Sequence, residues 1–69
     1  MQNLVANRIT VNQSICNGKP IIREMRITVR TILEYLAAGD SHQDILEAYP
    51  FLEEADILAC LGFAAQPVF

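Results

Sequence analysis

The spacing of apolar residues changes its period once along this chain, after residue 28, and this change constrains the fold more than any other feature. Before it, apolar and polar residues alternate at 8–11 and again around 21–27, which is typical of half-buried strands. A turn between these segments is favoured by three residues: Asn17, Gly18 and Pro20. Residues 8–28 are therefore predicted to form a short β-hairpin.

After this point the apolar residues follow the helical period. Five of them recur at i, i+3, i+4, i+7 and i+8 and form one face of a predicted first helix: Val29, Ile32, Leu33, Leu36 and Ala37. The Thr28 side chain can accept a hydrogen bond from the first turn, and Gly39 can adopt the left-handed conformation that ends a helix. The first helix is therefore predicted to lie between these two residues.

Two more helical segments follow. The second is predicted from Ser41, where Asp44 completes a capping box, to Pro50. Its inward-facing residues are predicted to be Ile45, Leu46 and Tyr49. The third is predicted to begin near Glu53 and to end before Pro67. Its predicted apolar face comprises Ile57, Leu58, Leu61, Ala64 and Ala65.

Together these elements predict an α+β fold that is mainly α. A short N-terminal β-hairpin at 8–28 precedes a helix-turn-helix-like unit of three helices at 29–66, within a single domain at 1–69. A domain of this size buries only roughly 60% of the surface that its unfolded chain exposes. Because 52% of the residues are nevertheless hydrophobic, some of them are expected to cover a partner or a second copy, and a homo-oligomer is expected.

Location and chemistry are constrained by what the sequence lacks. It has no run of about 18 apolar residues that would span a bilayer, and its start resembles no signal peptide, so a cytoplasmic protein without membrane contact is expected. Cys16 adjoins a turn, and Cys60 lies in an apolar helical pattern and is expected to face the core, so both are expected to be reduced and inert. Two cysteines and the single His42 lack the spacing of zinc ligands, so no metal or cofactor is expected.

Charge divides the chain into two unlike halves. All five basic residues lie within the first 30 positions, which hold a single acid, Glu24. Positions 31–69 hold seven acids and no lysine or arginine. This asymmetry indicates that the halves meet different partners or that copies meet head to tail, and solvated acidic helix faces explain it equally well. Four basic residues are predicted to contact an acidic partner or nucleic acid: Arg8, Lys19, Arg23 and Arg30.

The fifth basic residue, Arg26, has a different prediction. It lies between a strand and the first helix, so its planar guanidinium is predicted to form an ion pair within the chain. Gly18 and Pro20 are likewise predicted to be structural. Arg23 and Arg30 are expected to be exposed, so reversing both to glutamate is expected to leave the fold nearly unchanged.

The aromatic residues allow fewer distinctions. Tyr35 and Tyr49 each combine an apolar ring with a polar tip, which suits an interface and a half-buried core position equally. Phe63 and Phe69 lie beyond the predicted core face of the third helix or at the chain end. Both are predicted to contact a partner.

Several motifs of the chain resemble one known family, the domain-of-unknown-function 433 family. The first half resembles its pattern I-x-G-G-K-P-x-I-x-G-T-R-I-P-V through Gly18-Lys19-Pro20, Ile22, Arg26-Ile27 and Val29. The second half resembles its L-x-x-G, I-L-x-x-Y-P-x-L and D-I-x-x-A-L segments through Leu36 to Gly39, Ile45-Leu46, Tyr49-Pro50, Leu52 and Asp56-Ile57. The resemblance implies a homeodomain-like or winged-helix-like domain. It also implies a relation to antitoxins that bind a PIN-like ribonuclease toxin and repress their own operon.

The chain departs from that pattern at a few positions. Glu24 stands at a glycine position; if this residue has positive φ, a glutamate is strained by about 1 kcal/mol, and otherwise the turn has another shape. Asn17 also replaces glycine but tolerates turn conformations. Thr28 replaces proline and supplies a helix cap instead. Glu53 replaces the threonine expected before the third helix and compensates the helix dipole.

Three functions remain open. The first is an antitoxin-like regulator that occludes the active site of a PIN-like ribonuclease. The second is a module that binds operator DNA through its basic residues, although the net charge of −3 opposes this and the third helix opens with acids and has no basic residue to read a groove. The third is a dimeric adaptor domain without DNA binding. An enzyme is not expected, because one histidine and scattered carboxylates do not converge.

Overall fold

The computed structural model describes residues 3–6 and 8–65. Three short antiparallel strands form a sheet in the order β1-β2-β3, with β1 at Asn3–Ala6, β2 at Ile9–Val11 and β3 at Ile21–Ile22. Three helices follow: α1 at Val29–Ala37, α2 at His42–Ala48 and α3 at Glu54–Ala64. The predicted fold class is confirmed, because a β-hairpin precedes three helices. None of the helices in the described part of the chain is long and apolar enough to cross a membrane.

The sheet differs from the predicted hairpin at both ends. β1 pairs with β2 and lies ahead of residue 8, where the β element is predicted to start. The residues of β1, Asn-Leu-Val-Ala, do not alternate between apolar and polar, so a period of two does not reveal this strand. The predicted strand at 21–27 contains only two strand residues, because the chain turns back after Ile22, whose amide donates to the Ile27 carbonyl at 3.2 Å.

This turn requires two consecutive residues in the left-handed region. Arg23 has φ 46° and Glu24 has φ 64°, and positive φ at both central residues is the geometry of a type I′ turn. Glu24 therefore adopts the strained conformation for which the family pattern supplies glycine. Its carboxylate accepts hydrogen bonds from Thr10 Oγ1 at 2.9 Å and Asn12 Nδ2 at 2.8 Å. These bonds offset part of the backbone strain.

The helices begin where their predicted caps lie. Thr28 Oγ1 accepts a hydrogen bond from the Thr31 amide at 3.1 Å and starts α1. Gly39, with φ +99°, ends it in the left-handed conformation. Ser41 and Asp44 form the predicted capping box of α2. Glu53 is the N-cap of α3.

A single hydrophobic cluster joins the sheet to all three helices. It consists of Ile9, Ile22, Ile27, Val29, Ile32, Ile45, Leu52, Ile57 and Cys60. Tyr35 and Tyr49 pack half-buried against it, with ring centroids 5.9 Å apart, an interplanar angle of 72° and hydroxyl oxygens 3.2 Å apart. Both tyrosines therefore occupy half-buried core positions, which is one of the two predicted alternatives.

The side of α3 that faces the core is not the predicted one. Ile57 is buried, but four other residues of the predicted face are exposed: Leu58, Leu61, Ala64 and Ala65. Asp56 and Cys60 are fully buried instead. Because residues 57–65 are apolar or glycine on every side of the helix, their period alone does not select one face. In this rotation Asp56 contacts Arg8 and Arg23, while Ile57 and Cys60 lie in the core.

Candidate functional site

Two arginines from the sheet converge on one aspartate of α3. Arg8 directly precedes β2, Arg23 directly follows β3, and the Arg23 amide donates to the Arg8 carbonyl at 3.0 Å. Arg23 binds both carboxylate oxygens of Asp56, through Nε at 3.0 Å and Nη2 at 2.8 Å. Arg8 Nη1 lies 3.0 Å from Asp56 Oδ1 and 2.7 Å from Glu53 Oε1. We name Arg8, Arg23 and Asp56 the arginine–aspartate cluster.

The electrostatics of this cluster keep Asp56 ionised. Burial by itself would raise the pKa of the Asp56 carboxyl. Hydrogen bonds from Arg23, from the Glu53 amide at 2.9 Å and from Arg8 outweigh burial and lower the pKa to about 2. Since both oxygens of this fully buried carboxylate are bound within the chain, the cluster links the sheet to α3 and offers no acceptor to a ligand.

The ion pair predicted for Arg26 is therefore formed by Arg23. Arg26 is exposed, and within residues 8–65 it has no ion-pair partner. The side chain of Arg23 is partly exposed, as expected, but its guanidinium is committed to Asp56. Asp56 lies 33 positions from Arg23 and 48 from Arg8, so no local pattern could have paired them. Arg8 and Arg23, both predicted to contact a partner, bind Asp56 within the chain and link the sheet to α3.

A cleft beside α1 brings three other predicted contact residues together. It has a volume of about 370 Å³ and is lined by Lys19, Pro20, Thr28, Val29, Arg30, Leu33 and Phe63. Most of this lining is apolar, and the exposed residues in it are the two cations, Lys19 and Arg30. We name it the Lys19–Arg30 cleft. Sequence reasoning placed Leu33 in the core alone, and no local signal indicates that it also lines a cleft with Phe63 from α3.

The two cations of the cleft differ in how far they are neutralised. Arg30 has a side chain that is 82% exposed and pairs with Glu34 across one turn of α1, at 3.0 Å. Such an exposed pair contributes little to stability and is easily exchanged for another partner. Lys19 has no ion pair within the part of the chain that the structure describes. Of the predicted aromatic contacts, Phe63 lines the cleft, and Phe69 lies outside the described residues.

Gly18 and Pro20 determine the backbone next to the cleft. Gly18 has φ +78°, and a Cβ atom there would lie 2.8 Å from Gln13 Nε2. A side chain at this position would thus be strained and would displace Gln13. The Pro20 carbonyl accepts a hydrogen bond from the Val29 amide at 3.0 Å, which ties the turn to the first residue of α1. The Gly18 turn and the hydrogen bond between Pro20 and Val29 thus hold Lys19 beside the cleft.

Among residues 8–65, no three His, Cys, Asp or Glu side chains form a group that could hold a metal ion. His42 Nδ1 lies 2.5 Å from Glu54 Oε2, and this exposed contact links the starts of α2 and α3. What the described surface offers chemically is an apolar recess flanked by cations, which suits an acidic and apolar protein surface.

The two cysteines lie in different environments. Cys60 is fully buried, as predicted, and burial raises the pKa of its thiol to about 11, with a further contribution from the charge of Asp56. Cys16 lies in the 3-10 turn Cys16–Gly18 and is partly exposed. Thiolate is the reactive form of cysteine, so the reactivities of these two residues should differ strongly.

We expect an aromatic disulfide reagent to label Cys16 rapidly in the native protein and Cys60 only after unfolding. Absorbance of the released thiol, followed with and without denaturant, measures this difference. The Cys16→Ala variant should lose the fast phase and keep its partner binding. Rapid labelling of both thiols in the native protein would contradict the burial of Cys60.

Comparisons with known proteins agree with the motifs of the chain. No curated protein and no solved structure matches it. A family model described as a protein of unknown function, DUF433, matches residues 9–64. This match spans β2, β3, all three helices and the Lys19–Arg30 cleft. Of the arginine–aspartate cluster it includes Arg23 and Asp56, and Arg8 directly precedes it. The chain therefore belongs to the DUF433 family.

Proposed function

We propose that this protein is a small antitoxin-like regulator that binds a PIN-like ribonuclease toxin through the Lys19–Arg30 cleft. The observation that carries the proposal is the cleft itself, because it combines an apolar lining with two exposed cations. The active site of a PIN-like nuclease is rich in carboxylates, and complementary charge at an interface favours both fast encounter and specific pairing. The resemblance of the sequence motifs to a family related to antitoxins supports the same function.

Inhibition would follow from occlusion. Lys19 and Arg30 would pair with carboxylates at the mouth of the nuclease active site, and Leu33 and Phe63 would receive an apolar side chain of the nuclease. RNA would then be excluded from the carboxylates that it must reach. Arg8 and Arg23 contribute indirectly, because they hold the sheet and α3 in place on either side of the cleft.

Repression of its own operon would require this protein to bind DNA as well. The exposed Glu54 lies in the first turn of α3, and its carboxylate repels phosphate. With Arg8 and Arg23 bound to Asp56, three basic residues remain for DNA: Lys19, Arg26 and Arg30. DNA binding would therefore depend on an assembly that combines the cations of several copies.

The proposal is tested with one pair of matched charge reversals. Lys19→Glu should raise the inhibition constant for the proposed partner, a PIN-like nuclease, by roughly tenfold, because an attractive pair becomes a repulsive one. Arg26→Glu changes the net charge equally, at an exposed residue outside the cleft, and should leave inhibition within about twofold of the wild type. Cleavage of a fluorogenic RNA measures both.

Two results would contradict this function. One is a nuclease whose activity is indifferent to the wild-type protein at any ratio. The other is equal inhibition by the wild type and both variants, which would show that the cleft takes no part in binding.

A further inference from the structure

The outer side of α3 carries a stripe of one acidic and two apolar residues. Glu54, Leu58 and Leu61 recur at i, i+4 and i+7, so they lie on one side of the helix. Glu54 is exposed, and Leu58 and Leu61 are 54% and 38% exposed. We name these three residues the α3 outer stripe. Two large aliphatic side chains on the surface of a domain this small indicate a contact surface.

This stripe and the Lys19–Arg30 cleft are complementary in chemistry. The cleft is an apolar recess with two exposed cations, and the stripe is an apolar ridge that begins with a carboxylate. Glu54 is available for such a pair, since its partner within residues 8–65 is the partly exposed His42, whereas Glu53 and Asp56 bind arginines. The matching surface is thus present on every copy of the chain.

We infer that the Lys19–Arg30 cleft of one copy receives the α3 outer stripe of a second copy. Leu58 and Leu61 would cover Leu33 and Phe63, and Glu54 would pair with Lys19. Burial of the exposed leucines supplies the affinity, and the ion pair determines the orientation. The inference does not depend on the proposed function, because it concerns the isolated protein. If both hold, the nuclease and the second copy compete for one cleft.

The geometry of α3 determines the kind of assembly that results. Phe63 lines the cleft, and at 3.6 residues per turn Leu61 and Leu58 lie about 160° and 140° away from it around the helix. The cleft and the stripe therefore lie on opposite sides of α3. Two copies joined by one such contact leave a cleft and a stripe unused. The contact is heterologous, so copies add head to tail and form a ring or an open chain rather than a two-fold dimer.

Sedimentation equilibrium of the wild type and of matched variants tests the inference. The average mass of the wild type should rise with protein concentration. Lys19→Glu should weaken the association by roughly three- to tenfold, as expected for reversal of a charge at the edge of an interface. Arg26→Glu, with the same change in net charge, should associate like the wild type. Leu58→Glu/Leu61→Glu should be monomeric. If circular dichroism shows that this double variant does not fold, Leu58→Glu alone is measured instead, and its self-association should be strongly weakened.

Mixing two defective proteins distinguishes a head-to-tail contact from a symmetric one. Lys19→Glu/Arg30→Glu retains the stripe, and Leu58→Glu/Leu61→Glu retains the cleft. Each alone should be monomeric, whereas an equimolar mixture should form a dimer that does not grow further with concentration. A wild type that stays monomeric at the highest concentrations reached would overturn the inference. So would a mixture that stays monomeric, or stripe variants that associate like the wild type.

Discussion

Asp56→Ala should lower the free energy of unfolding by about 3 kcal/mol, because it removes one partner of a buried ion pair. The substitution deletes the acceptor of three arginine hydrogen bonds and of the Glu53 amide. It also leaves Arg23 without a counter-charge, whereas Arg8 keeps its pair with Glu53. A domain of this size has a total stability of only roughly 3–10 kcal/mol, so much of the protein should be unfolded by mild urea. Urea titration followed by circular dichroism measures the loss.

Asp44→Ala is the matched control for this prediction. Asp44 and Asp56 both lie at the third position of a helix and accept a hydrogen bond from the amide of the N-cap residue. Only Asp56 also binds arginines. The control should cost about 1 kcal/mol or less, as the loss of a helix cap does. Equal losses for the two variants would show that the arginines add nothing.

The same carboxylate should make stability depend on pH. Its pKa in the folded protein, about 2, lies below its ordinary value of 3.8, so the folded state favours the ionised form. The resulting stabilisation of about 2 kcal/mol is fully present above pH 4 and is lost as the pH falls through about 2. The stability difference between the wild type and Asp56→Asn should therefore shrink over this interval. A difference that stays constant would contradict the role of the Asp56 charge.

Arg23→Glu should lower the free energy of unfolding by about 3 kcal/mol, as Asp56→Ala does. Arg30→Glu, in contrast, should change it by no more than about 0.5 kcal/mol. The first reversal places a second carboxylate against the buried Asp56, to which Arg23 donates hydrogen bonds through Nε and Nη2. The second affects an exposed pair within one helix. Sequence reasoning alone expects both reversals to be neutral, and the structure changes that expectation for Arg23 only.

Separate urea titrations of the two single variants test this difference. A double-mutant cycle with Arg23→Ala and Asp56→Ala should give a coupling energy above about 1 kcal/mol, as expected for residues in direct contact. An Arg23→Glu protein as stable as the wild type would show that Arg23 is available to a partner after all.

The helix caps and the buried side of α1 could be predicted from the sequence, because each depends on residues that are close together in the chain. Thr28, Ser41 and Asp44 act on amides three positions away, and Gly39 ends α1 through its own backbone conformation. The period of the apolar residues in α1 likewise identifies its buried side, since its other side is polar. Even the strain at Glu24 was foreseeable, because a glycine position that requires positive φ is a property of one residue.

The amino-acid sequence by itself thus determined the order of β2, β3 and the three helices, the approximate helix boundaries and the fold class, but not β1. Tertiary structure alone decided which arginine pairs with Asp56, which side of α3 is buried and which cations line a cleft. Each of these depends on groups that are distant in sequence and meet only when the sheet packs on α3. In α3, where apolar residues occupy every side, local hydrophobicity does not distinguish one rotation from another. The observed rotation is the one in which Asp56 reaches both arginines while Ile57 and Cys60 lie in the core, and it leaves Leu58 and Leu61 on the surface.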